Sequence, residues 1–366
     1  MTRIVVKVGT STLTSGTPRL HRQRILELVT QLAHLHQAGH EVILVSSGAQ
    51  AAGRERLNFP DYGSSVPAKQ MLAAVGQGRL MNLYSQLFDL YDLTVAQVLL
   101  TRDDLSERGR YLNARDTLGM LLQERIIPII NENDTVATNE IRVGDNDNLS
   151  AMVASVLEAE CLVILTDQKG LFTADPRKNP AAYLIQEVAR IDANTFAIAS
   201  GAGTKMGTGG MTTKIEAAQL ATRSGVVTII ASGNEPNVLL RLFIQKEAIG
   251  TRFLPTSTHL EGRKRWMLTD RPQGTVVVDG GAGQALVARG ASLLPVGMIR
   301  TEGEFVRGEV VRVCNADGVE LARGLANYDS GDMQKLCRVK SDKIADILGY
   351  TYGDYVVHRN DMVMLG

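Results

Sequence analysis

The stretch RIVVKVGTS, residues 3–11, decides the fold class of this chain. Four of its first six residues are apolar and β-branched, which is typical of a buried strand, and Gly9 ends the run. A helical apolar pattern follows over 21–38, and a second apolar run, EVILVS, occupies 41–46. Two buried strands joined by a helix predict a parallel βαβ unit, because parallel strands need a long crossover connection.

The same alternation continues to about residue 254. Apolar runs predict strands at 94–99, 126–130, 161–167 and 226–232, and helical patterns cover 67–91, 110–124 and 211–224. This order predicts an α/β domain with an open, largely parallel sheet sandwiched by helices. Gly, Ser, Asp and Asn collect in the loops after the strands. Ligands of open α/β sheets bind at those carboxyl ends, so we expect the site there.

The pattern changes near residue 255, and we expect the first domain to comprise residues 1–255. A stretch at 256–272, which contains Pro272 and the charged run EGRKR, is predicted to be a linker. Beyond it, short apolar runs alternate with glycine turns, at 275–279, 308–314, 318–325 and 354–358. They predict a small, mostly β domain at 273–366.

Composition excludes several classes of protein. The 366 residues include 39 basic and 39 acidic side chains, and residues 255–366 alone hold 14 of each. A balanced charge argues against nucleic acid or an anionic membrane as a partner. Three cysteines without a C-x-x-C pair exclude a disulfide framework and the usual zinc patterns. Without a long apolar run or a signal-peptide pattern, we expect a cytoplasmic protein.

Two stretches predict anion binding. Lys7 interrupts an apolar strand just before Gly9, where it would point at whatever the glycine turn holds; the alternative is an edge-strand lysine whose amine reaches solvent. The stretch GTGGMTTK, residues 207–214, opens a predicted helix with glycines, hydroxyls and Lys214. It is not a Walker A loop, which requires G-x-x-x-x-G-K-[ST]. Ser47, between a strand and a helix, fits either an anion site or a plain helix cap.

Carboxylates and amides cluster after the strand at 126–130. The stretches NEND (131–134) and VGDNDNLS (143–150) lie within about twenty residues of each other. Oxygen ligands of this kind suit Mg²⁺ or an amino group beside a phosphate site. Solvated turns are the alternative, because Asn, Asp and Gly dominate turns generally.

Taken together, the motifs VVKVGTS, VSSGA, NENDTVAT, VGDNDNLSA, LTDQKGLFTADP and GTGGMTTK, in this order and spacing, resemble the amino-acid kinase family. The match is closest to the members that phosphorylate glutamate, and residues 273–350 resemble a PUA domain. The resemblance implies ATP-dependent phosphorylation of the γ-carboxylate of L-glutamate, the first step of proline biosynthesis. It further implies Mg²⁺, feedback inhibition by L-proline, and a homo-oligomer, either a tetramer or a dimer.

The resemblance also implies roles for individual residues. Lys7, Lys214 and Asp147 would be catalytic. The nucleotide would be held by Lys7, Gly9, Thr166, Asp167, Thr208, Gly209, Gly210, Met211, Thr212, Thr213 and Lys214. Ser47, Asp134 and Asn146 would hold glutamate, and the ligands of the metal stay open.

Three other interpretations compete with this one. Another family member, such as acetylglutamate kinase, binds a substrate with a capped amine and needs no acidic pocket, so the NEND and VGDNDN clusters argue against it. An RNA-binding protein is suggested by the PUA-like segment, but neither part of the chain is basic. A catalytically inactive sensor is disfavoured because both lysines are present.

Overall fold

The computed structural model describes residues 1–63, 65–137, 145–201, 210–258 and 271–365. Of these, the residues within 1–105 and 114–259 form one compact unit, and those within 106–113 and 260–366 form another. No helix in these ranges is both long and apolar enough to cross a membrane.

The first unit is built on one large sheet. Its strands are β1 (Arg3–Val8), β2 (Glu41–Ser46), β3 (Val95–Leu100), β4 (Ile127–Glu132), β5 (Cys161–Thr166), β6 (Glu187–Val188), β7 (Val227–Ser232) and β8 (Thr251–Phe253). They lie in the order β3-β4-β2-β1-β5-β7-β8-β6. The β7–β8 pair is antiparallel, while the other described pairs are parallel. The predicted α/β class with a largely parallel sheet is confirmed.

Helices connect these strands. Up to residue 258 they are α1 (Thr10–Thr14), α2 (Arg22–Gln37), α3 (Ala49–Arg56), α4 (Val66–Asp89), α5 (Arg102–Ser106), α6 (Arg108–Gln123), α7 (Asp145–Val156), α8 (Ala193–Gly201), α9 (Met211–Arg223) and α10 (Val238–Phe243). Helix α2 buries the apolar positions that its 3.6-residue period predicts, among them Ile25, Val29 and Leu32.

Strand β1 lies between β2 and β5 and is buried on both faces. Its residues Ile4, Val6 and Val8 belong to the same core cluster as apolar residues of α2 and α4. Successive side chains of a strand point to opposite faces. Lys7 therefore points to the other face of the sheet, toward α7 and α9.

Helices α3 and α4 pack with their backbones in direct contact. A Cβ atom added to Gly53 would come within 3.0 Å of the Leu72 carbonyl oxygen. A Cβ atom added to Gly76 would come equally close to the Ala49 carbonyl oxygen. Only glycine permits this approach, because backbone atoms of a helix cannot turn away as a flexible side chain can.

The second unit is mostly β. Its strands are β9 (Gly274–Val278), β10 (Met298–Glu302), β11 (Val310–Cys314), β12 (Glu320–Leu325) and β13 (Met362–Met364), in the order β10-β9-β11-β12-β13. Its helices are α11 (Gly280–Arg289), α12 (Ser330–Lys335) and α13 (Ile344–Leu348), with short 3₁₀ turns at Pro295–Gly297, Ser341–Lys343 and Arg359–Asp361. Buried Val276, Val311, Tyr328 and Met333 contribute to its own core. The predicted small, mostly β C-terminal domain is confirmed.

The strand predicted at 354–358 is wrong. Within it, Val357 forms an isolated bridge with Leu293, and β13 supplies the strand that pairs with β12. Val356 and Val357 are both fully buried. Residues 354–358 form bends and this single bridge, so the buried valine pair lies in a loop that packs on the core.

A short segment from the first half of the chain completes the second unit. Leu112, which is 1% exposed, packs against Val310 and Leu325. Asn113 accepts a hydrogen bond from the Arg307 guanidinium, which lies 3.7 Å from the centroid of the Tyr352 ring. Residues 106–113 therefore pack with the C-terminal unit, and Leu112 is the residue of this segment that is buried there.

Candidate functional site

The site lies at the carboxyl end of the central strands. Val8 of β1 is in register with Ser46 of β2 and with Leu165 of β5, so the loops after these strands begin side by side. Helices α7 and α9 begin on the face to which Lys7 points. Asp147 lies in the first turn of α7, and Lys214 lies in the first turn of α9.

Two lysines converge on one buried carboxylate. The Lys7 Nζ atom lies 2.6 Å from Oδ1 of Asp147, and the Lys214 Nζ atom lies 3.2 Å from Oδ2. The Asp147 side chain has no solvent exposure, and each lysine side chain is 7% exposed. The Thr213 hydroxyl donates a further hydrogen bond to Oδ2 at 3.0 Å. The carboxylate therefore holds both ammonium groups in place.

The charges of this cluster do not cancel. Burial lowers the pKa of the Lys7 ammonium; the Asp147 carboxylate opposes this shift, and the Lys214 charge adds to it. Burial alone would raise the pKa of Asp147, but the two lysines hold it below its usual range. Two cations and one anion leave a formal charge of +1, which suits an anionic ligand.

Two glycines leave room beside these cations. A Cβ atom added to Gly9 would lie 3.5 Å from the Lys7 Nζ atom, and one added to Gly210 would meet no atom of the described residues within 4 Å. Gly210 is the N-cap of α9, whose N-terminus carries the positive end of the helix dipole. Backbone N–H groups at such a position bind phosphates.

A network of amide side chains lies next to the lysine cluster, where strands β2 and β4 end. The Asn146 Nδ2 group donates to Ser47 Oγ at 2.9 Å and to Asn131 Oδ1 at 3.0 Å. Asn131 in turn donates from Nδ2 to Gln77 Oε1 at 2.8 Å. Asn131, Gln77 and Asn146 belong to β4, α4 and α7, and Ser47 follows β2 directly. The network therefore ties together the ends of β2 and β4.

Asp134 lies two residues beyond β4 and is half-buried. Its Oδ1 atom accepts a hydrogen bond from the Gln50 amide at 3.4 Å. Burial raises the pKa of the Asp134 carboxyl, and the contact with Gln50 partly offsets this shift. A partly desolvated carboxylate of this kind attracts an ammonium group more strongly than an exposed one does.

Comparison with known proteins places this geometry in a family. A sequence profile described as the amino acid kinase family matches residues 2–232, which include every site residue above. The chain belongs to the amino acid kinase family. A PUA domain profile matches residues 274–348, within the mostly β unit. The resemblance that the motifs carry is confirmed, and the chain is an enzyme of the kinase class.

Curated relatives match over almost the whole chain. A glutamate 5-kinase from Herpetosiphon aurantiacus is 56% identical over 99% of this chain and 98% of that relative. A glutamate 5-kinase from Deinococcus radiodurans is 53% identical over 99% of this chain and 100% of that relative. A solved carbamate kinase from Giardia lamblia, bound to AMP-PNP, has a TM-score of 0.51 and 17% identity, covering 69% of this chain and 98% of its own. This last likeness supports the fold alone.

The structure brings some of the predicted kinase residues together. Lys7, Asp147, Thr213 and Lys214 form one cluster, and Ser47 contacts Asn146. Thr166 ends β5, and its hydroxyl donates to the Asp167 carboxylate at 3.0 Å. The Met211 side chain is buried, so it can contribute to the site only through its backbone. Thr208 and Gly209 lie outside the described residues.

Two site residues are missing from the sequence-based set: Gln50 and Gln77. Each contacts a predicted residue or its motif neighbour, Gln50 through Asp134 and Gln77 through Asn131. The available signal was weak, because a glutamine in a helix is most often a solvated surface residue. The glycines on either side of Gln77 are the feature that distinguishes it.

Proposed function

We propose that this chain transfers the γ-phosphoryl group of ATP to the γ-carboxylate of L-glutamate, which is the first step of proline biosynthesis. The Lys7–Asp147–Lys214 cluster carries the proposal, because it presents fixed positive charge beside glycine turns at the carboxyl end of the sheet. The activity is the one for which the curated relatives, 51–56% identical over nearly the whole chain, are named.

The reaction needs charge stabilisation more than proton transfer. A glutamate side chain has a pKa of about 4.3, so the nucleophile is already ionised at neutral pH. The obstacle is the approach of this carboxylate to an anionic phosphate. Fixed cations that face the transferring group, together with positioning of the two substrates, lower this barrier.

Each member of the lysine cluster then has a role. Lys7 contacts the β- and γ-phosphates of ATP, and Lys214 contacts the γ-phosphoryl group and the oxygens of the leaving group. Asp147 holds the two lysines, since both of its oxygens already face their ammonium groups or the Thr213 hydroxyl. Binding of a polyanion opposes the shift that burial imposes on the pKa of Lys7 and keeps this group charged.

The remaining nucleotide contacts come from the loops around this cluster. Gly9 follows β1, Thr166 ends β5 with Asp167 directly after it, and residues 210–214 cap and begin α9. Thr208 and Gly209 stay predictions of the same nucleotide site. Kinases commonly bind Mg²⁺ with ATP through substrate phosphates and one or two carboxylates. Asp167 is exposed at the end of β5 and suits that contact; the bound ion would neutralise charge on the phosphates.

Glutamate binds at the amide network. Asp134 and the oxygen of the Asn146 amide face its α-ammonium group, and the Ser47 hydroxyl is a further contact. A substrate with an acetylated amine would bring no positive charge to Asp134. This difference favours glutamate over N-acetylglutamate.

A regulatory property follows from the same site. L-Proline shares an α-carboxylate and an α-nitrogen with glutamate, so an overlapping site makes proline an inhibitor that saturating glutamate relieves. We also propose a homo-oligomer, a dimer or a tetramer, in the cytoplasm. The balanced charge of residues 1–254 and of residues 255–366 argues against nucleic acid as a partner.

A hydroxamate assay tests the reaction. Hydroxylamine captures an acyl phosphate, so colour should form only when the protein, ATP, Mg²⁺ and L-glutamate are all present. N-acetylglutamate serves as the matched alternative substrate. Colour with N-acetylglutamate and none with glutamate would assign the chain to the capped-amine branch of the family.

Substitution of Asp134 should separate glutamate binding from nucleotide binding. We expect Asp134→Asn to raise the KM for glutamate about 10- to 100-fold, since a charge-assisted hydrogen bond contributes about 1.5–3 kcal/mol. The KM for ATP should change little. Asn146→Ala should act in the same direction. Equal changes in both KM values would remove Asp134 and Asn146 from the glutamate site.

The raised pKa of Asp134 predicts a pH dependence as well. The carboxylate attracts ammonium only when ionised, and its pKa lies above that of an exposed aspartate. The KM for glutamate should therefore rise as the pH falls from neutrality toward that pKa, and stay flat above it. Asp134→Asn provides the control, because protonation of glutamate itself persists in this variant. A wild-type profile identical to that of Asp134→Asn would contradict the assignment.

We also propose that residues 1–255 form the kinase domain and that 256–272 link it to the PUA-like domain at 273–366. A chain that ends at Pro255 keeps every proposed site residue, so it should retain hydroxamate activity. It should be less soluble than the full-length protein, because the apolar Leu112 side chain loses the cover of Val310 and Leu325.

A second substitution tests whether the exposure of Leu112 lowers the solubility of the truncated chain. Leu112→Gln should improve the solubility of the truncated chain but destabilise the full-length protein by at least about 2 kcal/mol. The measurements are soluble yield and urea unfolding. A truncated chain that is folded and soluble but inactive would show that the C-terminal part is needed for catalysis.

A further inference from the structure

Gln77 is a partly buried member of the amide network, and it has no role in the glutamate binding proposed above. Its Oε1 atom accepts from Asn131 Nδ2 at 2.8 Å, and its Nε2 group donates to Gln97 Oε1 at 3.2 Å. Gln97 lies on β3 and is exposed. The network therefore runs from solvent at Gln97, through Gln77, to buried Asn131 and then to Asn146.

One backbone contact determines which atom donates and which accepts in every hydrogen bond of this network. The backbone N–H of Glu132 lies 2.9 Å from Asn131 Oδ1. A backbone N–H can only donate, so the atom of Asn131 that faces it is the carbonyl oxygen. The NH₂ group of Asn131 then faces Gln77, which must present its own oxygen.

The same anchor orients Asn146. Its NH₂ group must face the oxygen of Asn131 and also contacts Ser47. The Asn146 Oδ1 atom is thereby turned away from the network, and it is buried with no hydrogen-bond partner among the residues that the structure describes. A buried acceptor without a partner is costly unless a ligand donates to it.

We infer that Gln77 is a positioning residue that determines specificity for a free amine. By accepting from Asn131, it holds the Asn131 oxygen toward Asn146, and this contact holds the Asn146 oxygen toward the substrate. An ammonium group donates to that oxygen. This inference rests on the proposed glutamate activity and extends it to a residue that does not contact the substrate.

Removal of the Gln77 oxygen breaks the hydrogen-bond network at its contact with Asn131. Asn131 then has an unpaired NH₂ group, and it cannot turn over without placing that group against the Glu132 N–H. Any movement of the Asn131 side chain that gives its NH₂ group a new partner moves the Asn131 oxygen away from Asn146. The Asn146 amide is then free to present its NH₂ group to the substrate instead.

The test compares Gln77→Met with Gln77→Glu. Methionine keeps the length of the side chain but has no strong acceptor, whereas glutamate keeps the acceptor. We expect Gln77→Met to raise the KM for L-glutamate roughly 10- to 100-fold, the range set by one buried amide left unpaired. The KM for ATP and kcat should stay close to wild type, and Gln77→Glu should restore the KM for glutamate.

Discrimination against N-acetylglutamate is the readout that a purely structural role would not move. The ratio of kcat/KM for glutamate to kcat/KM for N-acetylglutamate should fall in Gln77→Met and recover in Gln77→Glu. Gln97→Leu is the matched control at the exposed end, where water can replace the lost partner, and should resemble wild type. Gln77→Ala replaces Gln77→Met if the latter fails to fold.

The outcomes are distinct. An unchanged KM for glutamate and an unchanged ratio in folded Gln77→Met would overturn the inference, as would a failure of Gln77→Glu to restore them. Absence of hydroxamate formation by the wild-type protein with glutamate would instead overturn the proposed function.

Discussion

Replacement of either Lys7 or Lys214 by alanine should lower kcat by about 10²- to 10³-fold, the usual cost of losing one charge-stabilising donor. Each ammonium group is buried and lies within 3.2 Å of the Asp147 carboxylate, so no neighbouring side chain can take its position. The fold should survive, because the remaining lysine still neutralises Asp147. The measurements are kcat in the hydroxamate assay and the Tm of each variant.

A surface lysine provides the control. Lys335 of α12 is exposed and pairs with Asp332, so Lys335→Ala should leave kcat unchanged. Asp147→Asn is less informative, because removal of one partner from a buried ion pair costs about 3–5 kcal/mol and can unfold the protein. A folded Lys7→Ala or Lys214→Ala protein with a normal kcat would remove that lysine from the mechanism.

Gly76→Ala should be among the most destabilising single substitutions in the first unit. The added methyl group would lie within 3.0 Å of the Ala49 carbonyl oxygen and of the Gly53 backbone nitrogen. Both are backbone atoms of α3, so the two helices must separate. We expect a loss of about 3 kcal/mol or more in the free energy of unfolding, at the upper end for overpacking.

Gly78→Ala, two residues along the same helix, is the matched control. A Cβ atom at Gly78 would meet nothing within 4 Å in the part of the chain that the structure describes. Alanine favours a helix over glycine, so this change should stabilise the protein by up to about 1 kcal/mol. Urea unfolding of both variants checks the pair. Similar stabilities for the two variants would show that α3 and α4 are not in backbone contact.

The sequence predicted six of the eight described strands of the large sheet, because residues buried on both faces form continuous apolar runs such as 161–167; it missed the short strands β6 and β8. It was wrong at 354–358, where adjacent buried valines belong to a loop, and it missed β10, in which two apolar residues are followed by three polar ones. The assignment of residues 106–113 to the second unit could not be predicted. Helix α6 has one unbroken pattern, and nothing in it indicates that Leu112 packs against strands that follow 200 residues later.

The sequence likewise predicted only part of the candidate site. The sequence predicts anion binding for Lys7 and Lys214, because each lies beside a glycine turn. Their common contact with Asp147 depends on the parallel order of β1, β5 and β7 and could be inferred only through the family resemblance. Gln77 escaped notice, since its role depends on a partner in β4 that helical periodicity does not reveal.

The central place of β1 has a consequence for hydrogen exchange. Lys7 and its neighbours are hydrogen-bonded to strands on both sides, in register with Val45 and Ile164. Amides in such a strand exchange with solvent only when the whole unit unfolds, whereas the first turns of α7 and α9 can open locally. The protein thus keeps the Lys7 cation stationary through partial openings, and the entropy of ordering the Lys7–Asp147–Lys214 cluster falls on Asp147 and Lys214.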